Sequence, residues 1–149
     1  MSFLSSLNIS ASGMTAQRAR LDVAAENIAN IETTRTESGG PYRRRMIVLE
    51  AKNDSFSQVL SQTMAGASRG TQTTAGVRAT QILEDPTELK AVYEPDHPDA
   101  DEEGYVRMPN IDMVKEMTDG MAATRSYEAN ITAFNAVKLM AQKALEVGK

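Results

Sequence analysis

The sequence predicts an α+β protein, with a long helix at each end and a small, mostly β segment inserted between them. Three observations carry that prediction. Apolar residues recur at helical steps over roughly residues 3–30. The stretch from Ile111 to Val147 keeps helical spacing and contains no proline. The segment between them breaks at GGP (39–41) and then shows short alternating runs separated by turn signals.

In the N-terminal helix Leu7, Ala11, Met14, Arg18, Leu21, Ala25 and Ile28 alternate steps of four and three, the heptad a/d spacing. All but Arg18 are apolar. At 1.5 Å per residue the helix is about 40 Å long. Ser5, Ser6, Ser10, Ser12 and Gly13 weaken its first half, so it is expected to fray unless a partner covers its stripe. Asn27 and Asn30, followed by TTRT, compete for backbone hydrogen bonds and are expected to end it.

In the middle, RMIVLE (45–50) and GVRATQILE (76–84) read as strands. LKAVYE (89–94) reads as a third, pairing with the second across the DPTE turn. DSFSQVLSQTM (54–64) reads as a short helix capped by Asp54 or Ser55, and AGASRGTQTTAG (65–76) as a loop of small polar residues. The C-terminal helix follows Pro109 and is capped by Asn110 or Asp112. Met113, Met117, Thr124, Tyr127, Ile131, Phe134 and Ala141 follow its helical spacing, with Gly120 and Lys138 interrupting the stripe. Its length is about 55 Å.

Composition narrows the functional classes. Only 5% of the 149 residues are aromatic and none is tryptophan, which leaves few large anchors for a compact core and favours an elongated shape. Absence of cysteine removes disulfides, thiolate zinc sites and cysteine nucleophiles. The opening MSFLSSLNISASG lacks the basic and continuous apolar regions of a secretory signal. No apolar run approaches the roughly 18 residues of a membrane span. A soluble chain without direct membrane insertion is expected. Net charge is −4, residues 1–36 and 111–149 are each balanced, and the excess acid lies in the middle. Arg43, Arg44 and Arg45 form the only basic cluster, which reads as a solvated strand edge, so no nucleic-acid partner is expected.

The acid is concentrated in EPDHPDADEEG (94–104), which holds six carboxylates and the single histidine. Asp99, Asp101, Glu103 and Gly104 match positions 1, 3, 5 and 6 of a calcium loop, and Val106 matches position 8. Asn110 then stands where the bidentate glutamate belongs, Pro109 at position 11 and Arg107 at position 9, and PDHP forbids the entering helix. His97 has no fellow nitrogen or sulfur ligand and reads as a hydrogen-bonded turn residue. No nucleophile elbow, phosphate loop or dinucleotide fingerprint is present. Tyr127 and Glu128 read as part of a helix contact and not as an acid–base pair. Neither a cofactor nor an enzymatic activity is expected.

The amphipathic ends remain the informative feature, and two readings of them stay open. The helices can cover each other's stripes within one chain, or the stripes can face other subunits. Nine methionines suit adaptable packing against several neighbours.

SASGMTAQRARLDVAAENIANIETTRT (10–36), with GGPYRRR (39–45), resembles the N-terminal signature of bacterial flagellar rod and hook proteins. DHPDADEEGYVRMPNIDMVKEM (96–117) and ATRSYEANITAFNAVKLM (123–140) are similar to proximal rod members of that family. The positions matched include Asn27, Asn30, Thr34, His97, Asp99, Asp101, Gly104, Tyr105, Pro109, Asn110, Glu128 and Asn130. Residues 51–75 match nothing in the family pattern and read as a variable insertion.

The resemblance implies an axial structural protein whose terminal helices, 1–36 and 111–149, pair as a coiled coil in the inner tube of the rod. Residues 37–110 would form a small outer domain. It implies export through the flagellar type III apparatus without a cleaved signal, and assembly in the periplasm with copies of itself and neighbouring rod proteins. There the shaft transmits motor torque to hook and filament. Packing within and between subunits is expected on Leu7, Ala11, Met14, Leu21, Ala25, Ile28, Met117, Thr124, Tyr127, Ile131 and Phe134. Residues 1–30 and much of 111–149 are expected to be loosely ordered before assembly. The alternatives are a helical calcium- or partner-binding regulatory module using the acidic loop, or an exported regulator.

Overall fold

The computed structural model describes residues 3–52 and 76–147. The helix expected over 54–64 and nearly all of the loop expected over 65–76 lie outside the described residues. The elements are helix α1 (Phe3–Ala29), strands β1 (Arg45–Ala51), β2 (Val77–Glu84), β3 (Lys90–Tyr93) and β4 (Tyr105–Met108), and helix α2 (Met113–Val147). Two long terminal helices thus enclose a small β region, and the α+β class holds.

The strand pairing differs from expectation. β1 pairs with β2, and β3 pairs antiparallel with β4, Lys90 opposite Met108 and Tyr93 opposite Tyr105. LKAVYE therefore does not pair back across DPTE. That turn is held elsewhere: the Asp85 carboxylate accepts the Thr87 amide at 3.0 Å, and the Asn110 amide donates to the Thr87 hydroxyl at 2.7 Å. This leaves β3 free to pair with YVRM, a strand hidden from pattern reading behind the acidic run.

The chain divides into two compact units, one of residues 1–17, 49–80 and 126–149, the other of residues 18–48 and 81–125. In the first unit small residues permit close approach. The Ser12 hydroxyl donates to the Ile9 carbonyl at 2.7 Å and accepts the Val77 amide at 3.1 Å. Gly76 sits against it with φ +107°, and a Cβ there would lie 2.1 Å from Ser12 Oγ. Lys52 N–H closes the ribbon on the Gly76 carbonyl at 2.8 Å. Next along α1, a Cβ on Gly13 would meet the Asn130 side chain at 2.9 Å. Ser12 and Gly13, two of the residues that weaken α1 locally, are the ones that let strand and helix approach it.

In the second unit Val23, Ala24, Tyr42, Val106, Ile111 and Ala123 are buried, and Lys90 Nζ donates to the Ile111 carbonyl at 2.5 Å. Helix α2 is capped by Asp112, whose carboxylate accepts the Val114 amide at 3.0 Å. Asn30 holds the end of α1, its side-chain amide donating to the Glu26 carbonyl at 2.9 Å. Asn27 does not end the helix as expected; its side chain points away from its own backbone.

Glycines separate two effects. Gly120 lies within α2 with nothing within 4 Å of an added Cβ. Gly120→Ala should therefore stabilise the chain by about 1 kcal/mol through helix propensity. Gly76→Ala should lower the urea midpoint, because its φ and Ser12 both oppose a side chain.

Candidate functional site

The chemistry-bearing side chains converge on Asn27. This residue is 1% exposed and uses its whole hydrogen-bonding capacity. Its carbonyl oxygen accepts the Arg45 amide at 2.9 Å and the Tyr42 hydroxyl at 3.1 Å. Its NH2 group donates to the Arg45 carbonyl at 2.9 Å and to Glu116 Oε2 at 3.0 Å. One helical asparagine thus borrows both main-chain groups of a strand residue and one carboxylate of α2. Among the described residues no buried side-chain polar atom lacks a partner.

Glu116, also buried, is shared with Arg44, whose Nε donates to Oε1 at 2.6 Å. Arg44 also faces Asp85 at 3.5 Å and Asp119 at 3.6 Å. Burial opposes its charge, but the hydrogen bond and charge of Glu116, with Asp85, outweigh that and raise its pKa above the usual value. The Thr87 amide and hydroxyl bonds, helped by Arg44, hold the Asp85 carboxyl below its usual value. Burial, then the charge of Glu26, raises the Tyr42 phenol, which keeps it a donor to Asn27. Arg45 pairs with Glu26 and lies 5.5 Å from the Tyr42 ring centroid. Arg44 and Arg45 are therefore structural ion-pair residues of their own chain, which corrects the reading of a solvated strand edge.

The acidic run forms the β3–β4 loop. The Asp101 carboxylate accepts the Glu103 amide at 3.1 Å and the Tyr105 amide at 2.8 Å, and Gly104 turns the chain at φ +81°. His97 Nδ1 accepts the Asp99 amide at 3.1 Å. The Asp99 carboxylate accepts the Thr34 hydroxyl at 2.8 Å, joining this loop to the TTRT segment. Thr34, Asp99, Asp101 and Tyr105 line a shared cleft of about 440 Å³ with Arg35 and Arg107. Tyr93 and Tyr105 meet edge to face at 5.3 Å. Pro109 is buried, and the Asn110 side-chain Oδ1 accepts the Arg44 amide at 2.9 Å. Among the described residues no three acid or histidine side chains are grouped to hold a metal ion.

The helix faces are partitioned. Each unit carries an α1–α2 contact: Gly13 against Asn130 in the first, and Asn27 bonded to Glu116 in the second. Gly13 and Asn27 are two heptads apart in sequence, as are Glu116 and Asn130, so both contacts use the same heptad position of each helix. On α1 the buried residues are Ser10, Ala16, Val23, Ala24 and Asn27. On α2 Glu116 and Ala123 are buried, and Gly120, Tyr127, Asn130, Phe134, Val137 and Ala141, half-buried, continue their steps of four and three, with Asp119 and Ser126 half-buried beside the row.

The expected interface residues fall mostly one position later, about 100° round the helix. On α1, Ala11, Met14, Ala25 and Ile28 directly follow Ser10, Gly13, Ala24 and Asn27; Ala25 is exposed and the other three are half-buried. Leu7 and Leu21 are likewise only half-buried. On α2, Met117, Thr124 and Ile131 follow Glu116, Ala123 and Asn130 and are exposed, whereas Tyr127 and Phe134 belong to the covered row. Glu128 is exposed. Pattern reading missed Tyr42, Arg44, Glu116, Ser12 and Gly76. The even 4–3 spacing of small and polar residues through Glu116, Gly120 and Ala123 was the signal available.

Removal of the hub should be costly. Asn27→Ala leaves four groups without their partner, those of Tyr42 and Glu116 buried, and should cost about 3 kcal/mol or more. Asn27→Asp should cost more still, by setting a second carboxylate against Glu116. Tyr42→Phe, which leaves Asn27 one acceptor bond, should cost about 1 kcal/mol. Urea denaturation of the three variants checks this order.

Two family models match the chain: one described as flagella basal body rod protein, over residues 7–35, and one as flagellar basal body rod FlgEFG protein C-terminal, over residues 102–147. The chain is 48% identical to the flagellar basal-body rod protein FlgC of Bacillus subtilis, across the full length of both. It is 40% identical to the protein of that name from Borreliella burgdorferi, over 99% of this chain and 98% of the relative. Against that of Aquifex aeolicus it is 40% identical over 100% and 99%.

Proposed function

The chain belongs to the flagellar basal-body rod protein family and is a structural rod subunit, and we propose that it builds the proximal segment of the rod. It acts there by packing and not by catalysis. Its partners are further copies of itself and neighbouring rod proteins, and it reaches the periplasm through the flagellar export apparatus. Among the described residues no helix is long and apolar enough to cross a membrane. Assembled, the subunits form a shaft that passes motor torque outward, with terminal helices inside and residues 37–110 outside.

The observation that carries this reading is the apolar surface left on the helices. Phe3 and Leu4 on α1, and Met113, Val114, Met117, Met121, Ile131, Leu139, Met140 and Leu145 on α2, are all exposed. Lone exposed apolar residues are ordinary, but rows of them mark surfaces that other chains cover. The covered row mixes small and polar residues with Tyr127 and Phe134, and the exposed apolar side chains are the ones left for neighbours. A shaft under torque needs such contacts on more than one face of each helix.

Ile131→Asp tests the reading. Ile131 is 37% exposed, so the variant should keep its helical content and an unfolding free energy within about 0.5 kcal/mol of the parent chain. It should be absent from purified basal bodies, and cells carrying it should not swim. Normal incorporation and motility would contradict the assignment.

A further inference from the structure

We propose that Met113, Met117 and Met121 form an oxidation site through which peroxide bars the free subunit from assembly; this rests on the reading of that helix face as an assembly surface. The three stand at i, i+4 and i+8 of α2, so their side chains share one face. They are 47%, 54% and 56% exposed. Met14, Met46 and Met108 are each half-buried, and Met140 is exposed but has no methionine one turn away. No other described part of the chain presents several open thioethers together.

Thioether oxidation follows exposure. The sulfur lone pair attacks one peroxide oxygen, the S–O bond forms as the O–O bond breaks, and the departing hydroxide takes a proton to leave as water. Sulfur loses two electrons and the peroxide gains them. Each sulfoxide replaces a pliable apolar contact with a strong acceptor. A neighbouring helix that buries the row without supplying donors would leave every such oxygen unsatisfied. Three on one face would act together. Once the row is covered by a neighbour the sulfurs are shielded, so the vulnerable form is the unassembled chain.

The test uses hydrogen peroxide on the purified chain and on isolated basal bodies, with peptide mass mapping. In the free chain, Met113, Met117 and Met121 should gain one oxygen ahead of Met14, Met46 and Met108. In basal bodies the gain at the three should slow by about tenfold or more. A triple Met→Gln variant, polar like the sulfoxide, should keep the wild-type helical content yet be missing from basal bodies, whereas the triple Met→Leu variant should be present. Equal oxidation rates in both states, or incorporation of the glutamine variant, would overturn the proposal. Absence of the unmodified chain from basal bodies would instead overturn the rod reading, and the free-chain map would still decide whether the row is the preferred site of oxidation.

Discussion

The described structure turns on the side chain of Asn27. A buried primary amide has two acceptor and two donor positions, and leaving any one empty costs more than filling it gains. All four are filled, by Arg45 main chain, Tyr42 and Glu116. Because these partners come from a strand, a connecting segment and a second helix, satisfying one residue fixes the place of three elements. The arrangement is all-or-none. A helix turned by one residue would carry Asn27 about 100° away and strand every partner at once. Arg44 extends the same logic, since its guanidinium balances the Glu116 carboxylate that Asn27 needs. The net stability contributed by such a buried network is modest, but its partial loss is costly.

From that constraint follows a division of labour between helix faces. The α1–α2 contacts shown are Gly13 against Asn130 and Asn27 bonded to Glu116, a close approach in one unit and a directional bond in the other. On α2, Met117 and Ile131 stand one position later and stay open, whereas on α1 Met14 and Ile28 are half-buried. A chain that must recognise its neighbours benefits from this order. Hydrogen bonds set the helix register without using up the apolar area that association draws on. Methionine on the open face of α2 adds tolerance of shape, at the cost of chemical sensitivity.

Much of this was legible from the residues. The 3.6-residue period located both helices, the Asp112 cap was among the two candidates named, and three of the four strands were placed. The long signature stretches at 10–45 and 96–140 are sufficient by themselves to point to the family. What stayed hidden depends on long-range partners. Asn27 looked like a helix terminator because its side-chain bonding is usually local, and only a strand eighteen residues on redirects it. Arg44 looked solvated because nothing in RRR announces a glutamate seventy-two residues later. The heptad stripe was read from large apolar residues, since burial normally follows size. Here the α1–α2 contacts shown use Gly13, Asn27, Glu116 and Asn130, each one position before Met14, Ile28, Met117 and Ile131. YVRM was missed because the six acids before it read as a solvated linker, although Asp101 closes their loop.

Because the chain has no cysteine, single thiols can report on each face. The most direct measurement compares the labelling rates of Met117→Cys and Ala123→Cys in the free chain and in purified basal bodies. Met117 is 54% exposed and Ala123 fully buried. The division of faces predicts that the thiol at 117 labels quickly in the free chain and is protected in basal bodies, while the thiol at 123 is protected in both. A thiol at 117 that stays equally reactive after assembly, or one at 123 that reacts freely in the isolated chain, would contradict it.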